Sequence, residues 1–119
     1  MSKVLTERKG HVYVITINRV EKRNCIDAET EDLLVEAWNE FKYDDDLFVA
    51  VLTGAGEEAF CSGADLGQYF PKLLGSPSYL RRRAYDGPGF GGFTRGIDIF
   101  KPILAAINGA CLAGGVELA

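Results

Sequence analysis

Two stretches of this 119-residue chain bring glycine and other small residues to places where backbone amides can stay open to a ligand: Ser62-Gly63-Ala64-Asp65 and Ala113-Gly114-Gly115. Each reads as the start of a helix, whose first turn leaves N–H groups unpaired and carries partial positive charge. Two such amides aimed at one point can hold a carbonyl oxygen while negative charge grows on it. One donor of this kind is worth about 2.7–4 kcal/mol in a transition state. Small residues such as Ala64 and Gly114 let a substrate approach the main chain closely. Glu117 follows the second amide within the first turn of its helix, where a carboxylate can face the same cavity as a general base. Each piece also has an ordinary structural explanation. A glycine pair at a helix start serves packing, and an acid in the first turn is favourable with the helix dipole.

Other chemistries find less support. Cys25, Cys61 and Cys111 are widely spaced, and with the single histidine, His11, they form no zinc pattern; they read as reduced, packed thiols, and no metal is expected. Asp44-Asp45-Asp46 lacks the spacing of a calcium loop and reads as a solvated turn. Gly54-x-Gly56-x-x-Ala59 follows a strand, as a dinucleotide fingerprint does. However, Phe60-Cys61-Ser62-Gly63 does not continue as a helix, and no acid closes a second strand at the required distance. A formal charge of −4 argues against a nucleic-acid partner, which calls for a basic face. No stretch approaches the ~20 apolar residues of a membrane helix, and the opening MSKVLTERKG has no signal-peptide core. A soluble cytoplasmic protein is the expectation.

The elements that must position these residues can be read from periodicity. Val4–Glu7 and His11–Ile17 predict two strands turning at Lys9-Gly10, the second apolar on both faces and so expected to be covered on both. Asn18–Asn24 is a polar loop. Asp27 caps a helix over about Ala28–Lys42, with Leu33, Leu34, Ala37, Trp38 and Phe41 facing the core and Glu31, Asp32, Glu36, Asn39 and Glu40 facing solvent. Leu47–Thr53 predicts an apolar strand, Ala59–Cys61 a brief extended segment, and Ser62–Leu66 the opening of a second helix. Pro71–Gly96 predicts part helix and part mobile glycine-rich loop, with Arg81, Arg82 and Arg83 solvated, although they can also meet phosphates. Ile103–Ile107 predicts a last strand before the helix that starts at Gly114. Strands alternating with helices imply α/β architecture. A domain seldom stops where an apolar helix begins, so a truncated chain is expected.

Three segments carry a resemblance. Asn18-Arg19-Val20-Glu21-Lys22-Arg23-Asn24 looks like the NRPxxxN segment of the enoyl-CoA hydratase/isomerase (crotonase) family. Phe60-Cys61-Ser62-Gly63-Ala64-Asp65-Leu66 is similar to its FxxGxDL segment. Ala105 to Gly109 with Gly114 to Ala119 resembles AxNGxxxGGGxELA. They occur in family order and span most of the chain.

The resemblance implies a crotonase-like spiral of β-β-α units, here its amino-terminal part as one domain over residues 1–119. It implies an acyl-CoA thioester whose carbonyl is held by the amides of Ala64 and Gly114, and Glu117 as one of two glutamates that position and activate water. Water then adds across the C2–C3 double bond of a 2-enoyl-CoA. No cofactor is implied beyond the coenzyme A of the substrate. Substrate contacts fall on Lys22, Asn24, Cys25, Ala64, Asp65, Leu66 and Gly114, with Lys22 the candidate for phosphate. A homotrimer or hexamer is implied for the complete protein.

Val20, Cys25 and Ala113 depart from the family's proline, alanine and first glycine, and Ala113 is tolerable there only at negative φ. The second glutamate has no counterpart in these residues. Isomerases and other acyl-CoA reactions share the scaffold, and Glu117 favours hydration among them. The rival from another class is a non-catalytic acyl-CoA-binding or assembly module, and residues 1–119 by themselves are expected to be inactive or nearly so.

Overall fold

The computed structural model describes every residue from Met1 to Ala119. It begins with an antiparallel hairpin, β1 (Val4–Lys9) and β2 (Val12–Ile17), closed through Gly10 at a φ of +62°. That left-handed conformation costs a residue without Cβ almost nothing. Along β2, Tyr13, Ile15 and Ile17 are buried while Val12, Val14 and Thr16 are half-buried. Only one face is therefore fully covered, where cover on both was expected.

The chain then crosses over through α1 (Ala28–Tyr43) to β3 (Val49–Gly54), which lies parallel to β2 with Ile15 opposite Leu52. The start of α1 is fixed by Asp27, whose side chain accepts from Thr30 N at 2.8 Å and from Thr30 Oγ1 at 2.6 Å, taking up an N–H the helix itself cannot satisfy. Leu34, Trp38 and Phe41 are fully buried against the sheet. A phenylalanine buried to that degree stabilises the fold by about 1.5–3 kcal/mol. One of the acids expected on the solvent face is also buried: Glu31 is 2% exposed.

A later strand, β5 (Ile103–Ala106), adds parallel to β3, giving the order β1-β2-β3-β5. In sequence before it comes β4 (Ala59–Cys61), which pairs in parallel with β6 (Ala110–Cys111) as a second, two-stranded sheet. Between β4 and β5 lie α2 (Tyr69–Gly75) and α3 (Pro77–Ala84); α4 (Gly114–Leu118) follows β6. No helix is long and apolar enough to cross a membrane.

Two expectations change here. No helix opens at Ser62–Asp65: Ala64 forms a single parallel bridge with Ile26, and α2 begins only at Tyr69. The glycine-rich segment is tied to α1 instead of hanging free. Trp38 Nε1 donates to Gly91 O at 3.0 Å, Gly91 N donates to Glu31 at 3.1 Å, and a methyl group on Gly92 would stand 3.0 Å from Val35 N. These glycines admit close packing, which a pattern of glycines and prolines cannot distinguish from mobility.

Candidate active site

A cleft of about 1240 Å³ opens between the loop after β2, the segment from Ser62 to Leu73, the Phe90–Arg95 stretch and the start of α4. Ala64, Gly114 and Glu117 all line it.

The direction of each amide follows from its own peptide unit. In a trans peptide the N–H points opposite to the preceding C=O. Gly63 O accepts from Ile26 N at 2.8 Å, so the N–H of Ala64 faces away from Ile26. Asp65 N in turn donates to Ile26 O at 2.8 Å, and the bridge uses the groups on either side of Ala64. The Ala64 amide itself has no acceptor in the protein.

The second amide is built by a turn. Gly115 N donates to Leu112 O at 2.8 Å, with Ala113 at φ +50° and ψ −122°. Those angles belong to the first central position of a type II′ turn, where glycine is favoured. The expectation of a negative φ at Ala113 is therefore overturned. Ala113 O accepts from Val116 N at 3.0 Å inside α4, so the Gly114 N–H points out of the helix, and it too lacks an acceptor.

The two peptides are neighbours. A methyl group placed on Gly63 would stand 3.1 Å from Ala113 Cβ and 3.3 Å from Gly114 N. Phe90 walls the same spot, since a methyl group on Gly114 would come 2.5 Å from its Cε1. Tyr69 meets the Phe90 ring edge-on, centroids 6.1 Å apart, and Leu73 continues this apolar side. Glu117 lines the cleft and is exposed to solvent.

Two neighbouring unbonded amides that share a cleft with a carboxylate and an apolar wall are groups that can hold an acyl carbonyl as it gains charge. The model of the enoyl-CoA hydratase/isomerase family matches residues 7–119. The chain belongs to that family. It is 40% identical over 117 residues to an (E)-benzylidenesuccinyl-CoA hydratase of Thauera aromatica, a match covering 98% of this chain and 43% of that protein. An enoyl-CoA hydratase of Mycobacterium tuberculosis is 34% identical over 114 residues, covering 96% and 42% of the two chains. The fold is that of the family's solved structures. A carnitinyl-CoA dehydratase from Mycobacterium avium 104 superimposes with a TM-score of 0.79 at 40% identity, over 99% of this chain and 42% of that one. The chain thus spans less than half the length of these relatives.

Of the other residues singled out within the enoyl-CoA hydratase/isomerase motifs, Lys22, Cys25, Asp65 and Leu66 line the cleft. Asn24 does not. It is 1% exposed at φ +55°, accepting from Arg19 N at 2.9 Å and donating to Ala55 O and Ala59 O at 3.0 and 2.8 Å. Its amide is fully committed to tying the loop to β4, so its placement among substrate contacts is corrected. Asp65 faces the cleft but is also committed: Oδ1 accepts from Gly67 N and Gln68 N, and Oδ2 accepts from Arg19. Burial works against its charge, yet donation from Gly67, Arg19 and Gln68 holds its carboxyl below the usual carboxylate range. Burial likewise pushes the Cys25 thiol up, against the pull of Arg19.

A second buried cluster is not legible in the sequence. Glu31 accepts from Tyr69 Oη at 3.0 and 3.1 Å, and Arg83 Nε stands 2.5 Å from its Oε2. That contact is an ion pair whose N–H is off line for a hydrogen bond. Burial pushes the Glu31 carboxyl up, although Arg83, Tyr69 and Gly91 oppose it. Arg83, expected to be solvated, thus pins α3 to α1. Nothing local signals this pairing, because its partners lie 52 residues apart in sequence.

Proposed function

We propose that the complete polypeptide is an enoyl-CoA hydratase-type lyase. The observation that carries this reading is the pair of adjacent, unbonded amides at Ala64 and Gly114 on one cleft with Glu117. The thioester oxygen accepts from both N–H groups. Glu117 takes a proton from water as the water oxygen bonds to C3 of the 2-enoyl group. The C2–C3 electron pair moves toward the thioester, and the resulting enolate oxygen is the charge the amides stabilise. C2 then takes up a proton from Glu117 or from the family's second acid, giving a 3-hydroxyacyl-CoA.

Donors aimed at developing charge act where it appears, and losing one costs about 10²–10³ in rate. Phe90, Tyr69 and Leu73 hold the acyl chain on the apolar side, while Lys22 at the exposed rim meets a CoA phosphate. Coenzyme A is part of the substrate, and the scheme uses no separate cofactor. The names of the relatives, hydratases and dehydratases of CoA thioesters, support the reaction class.

The test is hydration of crotonyl-CoA by the complete polypeptide, followed as loss of the conjugated thioester absorbance. Turnover that Glu117→Gln lowers by about 10²–10⁴ is expected for a general base. Binding of CoA thioesters with no turnover, unchanged by Glu117→Gln, would instead identify a binding module.

A further inference from the structure

We propose that Arg19 is a positioning residue for this reaction, fixing the peptide that aims the Ala64 amide at the thioester oxygen; the inference rests on the function proposed above. Arg19 lies behind the cleft wall with its side chain 5% exposed. Its Nη1 donates to Cys25 O at 2.8 Å and to Asp65 Oδ2 at 3.2 Å. Its Nη2 donates to the same Asp65 oxygen at 3.2 Å and stands 3.5 Å from Asp27 Oδ2. Cys25 and Asp27 flank Ile26, and Asp65 follows Ala64. One guanidinium therefore grips both sides of the Ile26–Ala64 bridge.

That bridge needs outside support. It is isolated, with no neighbouring ladder to hold its register, and it supplies the one hydrogen bond made by the Gly63–Ala64 peptide. The partners of Arg19 are not equally dependent on it. Asp27 keeps Lys3 at 2.7 Å and Thr30 at 2.6 Å, whereas Asp65 Oδ2 has Arg19 as its sole hydrogen-bond donor. Losing Arg19 would release the Ala64 side while leaving the cap of α1 in place.

Stability alone does not account for the group. Burying a guanidinium among carboxylates is costly in desolvation, apolar replacements of such clusters are often neutral or better, and Arg19 Nε here has no partner. What a rigid planar fork supplies is geometry, several acceptors held at fixed angles.

The experiment uses the complete polypeptide carrying Arg19→Met, Arg19→Lys or Asp65→Asn. Three quantities are read: kcat and KM for crotonyl-CoA, affinity for free CoA, and the near-ultraviolet enolate band of bound acetoacetyl-CoA, which reports oxyanion stabilisation directly. In Arg19→Met, kcat and the enolate band should fall about 10- to 100-fold, while KM and CoA affinity stay within about twofold. Arg19→Lys should recover only part of the loss, since one ammonium cannot span Cys25 O and Asp65 together.

A folded Arg19→Met with wild-type kcat and enolate band overturns the proposal. So does a parallel fall of kcat and CoA affinity, which marks a merely structural role. Should Arg19→Met fail to fold, Asp65→Asn decides, because it keeps the Oδ1 acceptor for Gly67 and Gln68: an unchanged enolate band overturns the proposal equally. Absence of the band in the wild type is a separate result, and removes the hydratase reading together with this one.

Discussion

At Ala64 the amide is aimed from outside its own segment: Ile26, 38 residues earlier, takes the Gly63 carbonyl, and Arg19 locks both sides with charge. At Gly114 the amide is aimed from within, by a tight turn whose carbonyl is taken by Val116, three residues on. Its surroundings are steric, with Phe90 against Gly114 and the Cys61 backbone against Gly115. No ion pair reaches α4. One donor is held by long-range polar contacts and the other by close packing and a demanding backbone conformation. They should therefore fail under different perturbations, and each perturbation reports on one side.

The largest effect belongs where the two sides touch. Gly63 has a φ of +105°, and a methyl group there would crowd both Ala113 and the Gly114 nitrogen. Gly63→Ala should lower kcat for enoyl-CoA hydration by about 10²-fold or more, since it disturbs both donors. Wild-type kinetics in this variant would mean that the two amides do not act on one oxygen.

Next comes a change confined to the packed side. At Gly115 a methyl group would lie 2.2 Å from Cys61 O and 2.9 Å from its carbonyl carbon, and backbone cannot swing aside as a side chain does. Gly115→Ala should cost about 1–3 kcal/mol in a denaturant melt. Amide exchange should quicken at Gly115 and Val116 while Ile26 and Asp65 keep their protection. Equal loss at all four positions would break the division between the sides.

Acid should do the reverse. Burial disfavours the charge of Asp27, but donation from Lys3 and Thr30 and the nearby charge of Arg19 hold its carboxyl far below the ordinary 3.8. Asp65 is also held below 3.8. A carboxylate with a depressed folded pKa adds stability above its unfolded value and loses it as pH falls through the folded one. Little should therefore change down to about pH 4, with the Ile26 and Asp65 amides losing protection below it, ahead of Val116. Exchange measured at several pH values and corrected for intrinsic rates checks the order. Loosening of Val116 first would assign the acid-sensitive contacts to the wrong side.

This division also explains what could be read from residue order. Local features were legible: the alternation of β2, the Asp27 cap with its helix, Trp38 and Phe41 in the core, and the helix that starts at Gly114. Features resting on distant partners were not. Ser62-Gly63-Ala64-Asp65 looks like a helix start, and Asp65 does cap the turn through Gly67 and Gln68. What Ala64 does, however, is decided by Ile26. Glu31 fits the polar face of α1 by periodicity, yet Tyr69 and Arg83 bury it. Asn24 lies within a family segment that suggests ligand contact, but its amide is consumed by Arg19, Ala55 and Ala59. The role of Arg19 in the same segment is not legible either, because only the folded chain brings Cys25, Asp27 and Asp65 around it.

The smallest effect sharpens the comparison from the opposite direction, by improving one side. Ala113 adopts φ +50° and ψ −122°, a conformation that an L side chain resists and that costs about 1–3 kcal/mol. Glycine there would relieve the strain but lose more chain entropy on folding, about 0.5–1 kcal/mol relative to alanine. Ala113→Gly should therefore stabilise the protein by about 1 kcal/mol, a rise of roughly 3–6 °C in Tm for a chain of this size. The turn would remain, because Gly115 N to Leu112 O and Val116 N to Ala113 O are both main-chain bonds, so kcat should stay close to wild type. If Tm falls instead, the packing of the alanine methyl outweighs the strain. If Tm rises and kcat drops with it, the strained turn is what keeps the Gly114 amide aimed, and both donors then depend on a rigid support rather than only the one at Ala64.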